Sequence, residues 1–211
     1  MGISHIGLGP LSQGCALLAE LAPVEFQAAL RLLSAAGVTA GGIGFLFFAR
    51  AVFRHSSPWA KAIAWTVSLG FLAALVGSAE AFVRFAPKHD PMLALRLLML
   101  VVPWAWMAFE SIRFAAMYRR RVAVGLGSPV VANRFVLWSM ASISSLVSLG
   151  SYGAGAVASG GGNVGGVFLV AGSASALVGT GLLWLAFMPP ESYVQWVRSR
   201  SPRPAGAAST P

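Results

Sequence analysis

Five long runs of apolar residues make up most of the chain, and polar residues lie mainly in the short connections between them. The hydrocarbon core of a bilayer is about 30 Å thick, so a membrane-crossing helix needs about 20 mostly apolar residues. Each of the five runs reaches that length. We therefore predict five transmembrane helices, over residues 28–53, 59–85, 92–118, 135–156 and 164–188.

The runs have the character of helices rather than of barrel strands. Barrel strands are short segments in which polarity alternates, whereas these runs are continuous and rich in alanine and leucine. In lipid the backbone polar groups must be paired within the protein, which a helix achieves by itself. The predicted fold class is therefore all-α, a polytopic membrane bundle of five transmembrane helices in a lipid bilayer.

Two segments flank the predicted spans. Residues 1–27 lack the basic start of a signal peptide, and we expect them to form an N-terminal segment with a short interfacial helix. Residues 28–188 form the transmembrane domain, and residues 189–211 form a cytoplasmic amphipathic helix with a disordered tail. The apolar face of that helix and the arginines that follow it are typical of a helix on a membrane surface; they are Tyr193, Trp196, Val197, Arg198 and Arg200.

The composition agrees with a membrane protein and excludes other classes. The 211 residues are 57% hydrophobic and only 10% charged, whereas a soluble domain carries about 25% charged residues. A disordered chain is excluded as well, because low hydrophobicity is its signature. The single cysteine, Cys15, excludes a disulfide within this sequence.

The basic residues predict an orientation. The net charge is +9, and most of the 15 lysines and arginines lie in alternate connections and the C-terminal tail. These residues are Arg50, Arg54, Lys61, Arg119, Arg120, Arg121, Arg134, Arg198, Arg200 and Arg203. The positive-inside rule puts them in the cytoplasm, so we predict a bacterial inner-membrane protein whose N-terminus is outside and whose C-terminus is cytoplasmic. The same rule accounts for the positive charge without a nucleic-acid partner.

Glu110 is the main candidate for chemistry, because ionisable groups inside a membrane are costly. It lies in the third span, about 13 Å from the basic end, and Arg113 follows three residues later, where the two side chains can pair. Trp106 and Arg96 share that face. Two interpretations stay open: a site for a solute, proton or signal, and a buried Glu110–Arg113 ion pair that fixes helix packing.

The second span carries a similar polar group near its outer end. Glu80 is followed by Arg84 four residues later, and small residues precede Glu80 on the same face. If this face receives the third helix, we expect Glu80, Arg84 and Arg96 to cluster near the outer surface. The cluster is either an interfacial ion-pair network or part of a ligand site.

Small residues at helical spacing predict close contacts between helices. Gly37 and Gly41 form a GxxxG motif in the first span, and Ala171, Ser175 and Gly179 repeat the theme in the fifth. Such residues let backbones approach where lipid supplies no hydrophobic drive for association. The contacts are either within the chain or between chains, and we expect at least one face to serve a homo-oligomer or another membrane subunit.

The fourth span contains many serines. We expect their hydroxyls to bond back to their own helix, to bond across to a neighbour, or to line a polar pore.

No catalytic or metal-binding arrangement is identifiable in the sequence. His5, His55 and His89 lie outside the predicted spans, and none of them forms an HxxxH pair. Nucleophilic catalysis by serine or cysteine needs a nearby base, and no such base is evident. The glycine-rich runs match neither a P-loop nor a Rossmann fingerprint. We therefore expect no enzymatic activity, no metal and no cofactor.

Two short segments resemble known sequences. One is Gly127-Ser128-Pro129-Val130-Val131-Ala132-Asn133-Arg134-Phe135, and the other is Pro189-Pro190-Glu191-Ser192-Tyr193 with Trp196. Both resemble parts of bacterial multi-pass membrane domains, some of which precede cytoplasmic signalling modules. The resemblance implies a sensory or regulatory module, or an accessory subunit of a membrane complex, and it carries over no catalytic residue. We expect any output protein to be a separate partner. The alternative is a small oligomeric transporter or channel with an intramembrane glutamate site.

The orientation can be tested by labelling cysteines from outside intact cells, in a variant whose Cys15 is replaced by serine. We expect a cysteine at Ser57 or Gly125 to stay unlabelled and one at Gly161 to be labelled, because of these three connections only the one at Gly161 is predicted to face outward. Labelling at Ser57 but not at Gly161 would overturn the orientation.

Overall fold

The computed structural model describes residues 18, 21–83, 91–160 and 166–200. Its helices are α1 (Val24–Phe53), α2 (Pro58–Val83), α3 (Pro91–Ala123), α4 (Pro129–Ala158), α5 (Gly166–Phe187) and α6 (Glu191–Ser199). Five of them are long and apolar enough to cross a membrane. The predicted all-α fold with five candidate spans is therefore confirmed, and the short helix after the last span is present as α6.

The helices extend beyond the predicted spans where polar residues border them. α3 continues through the arginine run to Ala123, and α4 begins at Pro129, ahead of Asn133 and Arg134. Arginine ends an apolar run but is a good helix former, so the backbone stays helical after the hydropathy falls. Proline at the first position of α4 suits a helix start, because that position needs no N–H partner.

The chain divides into two compact units. The first unit comprises Met1–Pro103 and Gly153–Val164, and the second comprises Trp104–Tyr152 and Gly165–Pro211. Each unit has its own contacts between helices.

In the first unit, α1 packs closely on α2 at a glycine. A Cβ atom placed on Gly42 would lie only 2.8 Å from Cζ of Phe71, and Phe71 is fully buried. The ring of Phe47 also meets Trp65 edge-on, with 5.3 Å between centroids. The predicted contact residues Gly37 and Gly41 are only half-buried. Gly42 makes the close contact found here, one position from the predicted motif.

In the second unit, α4 lies between α3 and α5. Phe135 of α4 contacts Phe114 and Tyr118 of α3, with ring centroids 5.4 and 5.1 Å apart. On α5, a Cβ atom at Gly179 would lie 3.2 Å from the Ala141 carbonyl oxygen of α4. Gly179 therefore makes a close contact within the chain, which is one of the two arrangements predicted for it.

Hydrogen bonds fasten α4 to α5 at two positions. The Ser148 hydroxyl donates to the Gly172 carbonyl at 2.8 Å, and the hydroxyls of Tyr152 and Ser173 lie 3.1 Å apart. A buried hydroxyl that bonds across two helices has no water to compete for it, which favours this register. The predicted packing residues Ala171 and Ser175 are half-buried beside these contacts.

The short helix α6 docks on α4 through a side-chain hydrogen bond. The Asn133 amide donates to the Tyr193 hydroxyl at 2.6 Å, and Val197 is buried. Trp196 stacks on Tyr193, with 5.7 Å between centroids, and stays half exposed. The helix thus presents Tyr193 and Val197 to the second unit and leaves its other side accessible, which is an amphipathic arrangement.

The packing of α1 on α2 can be tested at Gly42. We expect Gly42→Ala to destabilise the protein by about 1–3 kcal/mol, the usual range for overpacking a filled contact, and to lower the melting temperature in detergent. Adding Phe71→Leu should recover part of the loss, because the shorter side chain makes room for the methyl group.

The matched control is Gly150→Ala, since a Cβ atom at Gly150 meets nothing within 4 Å. Alanine favours a helix over glycine, so this variant should melt at or slightly above the wild-type temperature. A Gly42→Ala protein that melts like the control would contradict the close contact.

Candidate functional site

Glu110 lies at the middle of a candidate membrane span and is buried. The candidate span in α3 is Leu97–Ala123. Glu110 is its central residue and lies about 13 Å of helix before the arginine run that begins at Arg119. Its side chain is only 1% exposed. A carboxyl group at this depth is an expensive feature, which marks the inward face of α3 as the candidate site.

The inward face of α3 carries a second polar group beside the glutamate. Met107 and Ala115 are buried one turn to either side of Ser111, and Ser111 itself is fully buried. The Ser111 hydroxyl oxygen makes no hydrogen bond within the described residues. A buried hydroxyl left unbonded costs about 1–3 kcal/mol, so this hydroxyl is available to a proton-bearing group or a polar ligand.

Arg113 lies on the other side of the helix from this buried face. It is exposed, and its neighbours Phe109 and Ile112 are exposed apolar side chains. The prediction of a buried Glu110–Arg113 pair is therefore wrong as to Arg113, because only the glutamate is buried. The two side chains lie about 60° apart around the helix axis, and the edge of the buried face falls between them.

The remaining predicted site residues are only partly covered by the structure. Trp106 is half-buried on α3. Arg84 and the side chains of Glu80 and Arg96 lie outside the described residues. The predicted cluster of these three near the outer surface therefore stays a prediction.

The serines of α4 mostly bond within their own helix. Ser142 and Ser145 donate to the carbonyls of Trp138 and Ala141, four residues earlier, at 2.8 and 3.0 Å. Ser148 instead bonds across to α5. These hydroxyls thus show two of the three predicted arrangements, a bond back to their own helix and a bond across to a neighbour.

Ser111 is the residue that sequence reasoning missed. It follows Glu110 directly and lies one turn after Met107, on a face that continues to Ala115. The spacing of Met107, Ser111 and Ala115 is visible in the sequence. The lipid-facing side of a membrane helix is apolar as well, so this spacing does not show which face is buried. Within the described ranges, no group of three His, Cys, Asp or Glu side chains could hold a metal ion.

Comparison with known protein families, characterised proteins and solved structures finds no match for this chain.

The different environments of Glu110 and Arg113 predict independent effects on stability. We expect the changes in unfolding free energy for Glu110→Gln and Arg113→Gln to add in the double variant, within about 0.5 kcal/mol, as for residues that do not share a contact. Thermal or denaturant unfolding in detergent measures this. A double variant that is more stable than the worse single variant would show that the two side chains pair.

Proposed function

We propose that this chain is a non-enzymatic subunit of a bacterial inner-membrane complex, with a regulatory or accessory role, and that Arg113 contacts the partner. The observation that carries the proposal is the exposed arginine on the apolar outer face of α3. Phe109, Ile112 and Met117 are exposed on the same helix. An arginine among them needs a counter-charge, and the described residues of this face of α3 include no acidic side chain.

The depth of Arg113 makes the surrounding lipid a poor counter-charge. Six residues, about 9 Å of helix, separate it from Arg119, the first residue of the arginine run of α3. Helical side chains lean toward the N-terminus of their helix, and for Arg113 that direction leads away from the nearer polar surface. On insertion scales an arginine at the bilayer centre costs about 2.5–3.5 kcal/mol, and this value is an upper limit for Arg113, which lies nearer the surface.

A partner helix with an acidic residue removes this cost. An aspartate or glutamate at the same depth pairs with the guanidinium, which can hold a carboxylate through two parallel hydrogen bonds. The apolar side chains around Arg113 then pack against the partner and exclude lipid from the pair. The role is that of a subunit whose place in a complex is set by one intramembrane charge.

The contact can be tested by photocrosslinking in native membranes. We place a photoreactive residue at Ile112, beside Arg113, and another at Trp184, which is exposed on α5. A protein adduct of defined mass should form at Ile112 but not at Trp184. It should be lost in Arg113→Leu and kept in Arg113→Lys, which retains the charge.

The accessory-subunit proposal fails if Ile112 captures only lipid and the protein runs as a monomer in several mild detergents and in nanodiscs. An adduct that persists in Arg113→Leu would show that a partner is present but that the charge of Arg113 does not hold it.

A second candidate function is proton or polar-solute transport by an oligomer, centred on Glu110. It is favoured by the burial of that carboxyl group at mid-span, beside the unbonded hydroxyl of Ser111. Proton relays in membrane proteins use buried carboxyl groups of this kind. Transport by the purified chain alone separates this candidate from the first.

The measurement is proton flux into liposomes that contain the purified protein and a trapped pH-sensitive dye. The transport candidate requires a flux that Glu110→Gln abolishes and Glu191→Gln leaves intact, because Glu191 is exposed at the start of α6. If wild-type and protein-free liposomes acidify at the same rate, proton transport by the isolated chain is ruled out.

A further inference from the structure

Three helices of the second unit bring arginines to one end of that unit. Arg121 lies near the end of α3, Arg134 near the start of α4, and Arg200 just after α6. A chain of contacts joins these helices, because Tyr118 meets Phe135 and Asn133 bonds to Tyr193. We call this arrangement, with its three arginines, the basic end.

Two of the three guanidinium groups lie over aromatic rings. Arg121 lies 5.4 Å from the centroid of Tyr118, and Arg200 lies 4.7 Å from the centroid of Trp196. Contacts of this length are cation–π interactions, which restrict the side chain while the charge stays available. Arg134 lies between Asn133 and Phe135, the two residues of α4 that make the contacts described above, and it is exposed.

Apolar side chains are exposed beside these charges. Leu126, in the connection between α3 and α4, is 81% exposed, and Val124 is 68% exposed. Trp196 on α6 is half exposed next to Arg200. Water does not favour exposed leucine and valine in a loop, whereas the boundary between headgroups and acyl chains suits both apolar side chains and tryptophan.

We propose that the basic end is a binding site for anionic phospholipid. The arginines of α3, α4 and α6 contact the headgroup phosphate, and Val124, Leu126 and Trp196 contact the acyl region. Arginine is suited to phosphate because its planar fork donates two parallel hydrogen bonds. The site depends on the docking of α6, since the hydrogen bond between Asn133 and Tyr193 holds Arg200 on the same end as Arg134.

Native mass spectrometry of the detergent-solubilised full chain tests the site, with phosphatidylglycerol as the anionic probe and phosphatidylcholine as the neutral one. The wild type should prefer phosphatidylglycerol. The variant Arg134→Gln/Arg200→Gln should bind it about 30-fold more weakly, since an arginine near a membrane surface contributes about fivefold.

The matched control is Arg54→Gln/Lys61→Gln. It removes the same amount of charge elsewhere, because Arg54 follows α1 and Lys61 lies in the first turn of α2. Arg54 lies 5.6 Å from the centroid of the Trp59 ring. If net charge alone attracts the lipid, both double variants weaken binding equally, and the proposal is overturned. It is also overturned if the wild type binds the two lipids alike.

A second variant tests the contribution of α6 without changing any charge. Tyr193→Phe removes the hydroxyl that bonds to Asn133 and should lower the affinity for phosphatidylglycerol, while Tyr152→Phe, a control elsewhere on α4, should not. Binding by Tyr193→Phe at the wild-type level contradicts a site built by docking of α6. Displacement of the lipid by millimolar glycerol phosphate would assign the site to a soluble phosphate compound instead.

Discussion

Lipid gives the five long helices no hydrophobic reason to associate, because acyl chains solvate leucine as well as a neighbouring helix does. The structure therefore depends on a few places where backbones come close. Gly42 accepts the ring of Phe71 in the first unit, and Gly179 accepts the backbone of α4 in the second. At Gly172, a Cβ atom would lie 3.0 Å from the Tyr152 ring, so close packing recurs along α5.

Polar side chains complete these contacts where they meet a partner on another helix. Ser148 bonds to the backbone of α5, and Asn133 holds α6 through Tyr193. Ser142 and Ser145 donate to carbonyls of their own helix instead. These bonds satisfy the hydroxyls in lipid but do not join two helices. The unbonded hydroxyl of Ser111 and the outward charge of Arg113 are among the polar groups that fit neither pattern.

The sequence predicted the number and place of the helices well, because helix length in a membrane is set by hydropathy and by proline and glycine at the ends. It predicted helix faces poorly. Gly42, the neighbour of the predicted Gly41, makes a close contact in α1, and Arg113 is outside rather than inside. In a soluble helix the water-facing side is polar and reveals the face. A membrane helix is apolar on its lipid face too, so the same pattern fits several rotations.

Glu110 and Arg113 show what depends on the rotation of α3. Only about 60° around the helix axis separates them, yet one is buried and the other exposed. Both side chains move the same way around the axis, so a small rotation of α3 would carry both toward lipid or both toward the interior. Any contact that fixes Arg113 from outside therefore also fixes the position of Glu110 inside. Arg113 and Glu110 therefore move together as parts of one helix, even though they do not form an ion pair in the protein interior.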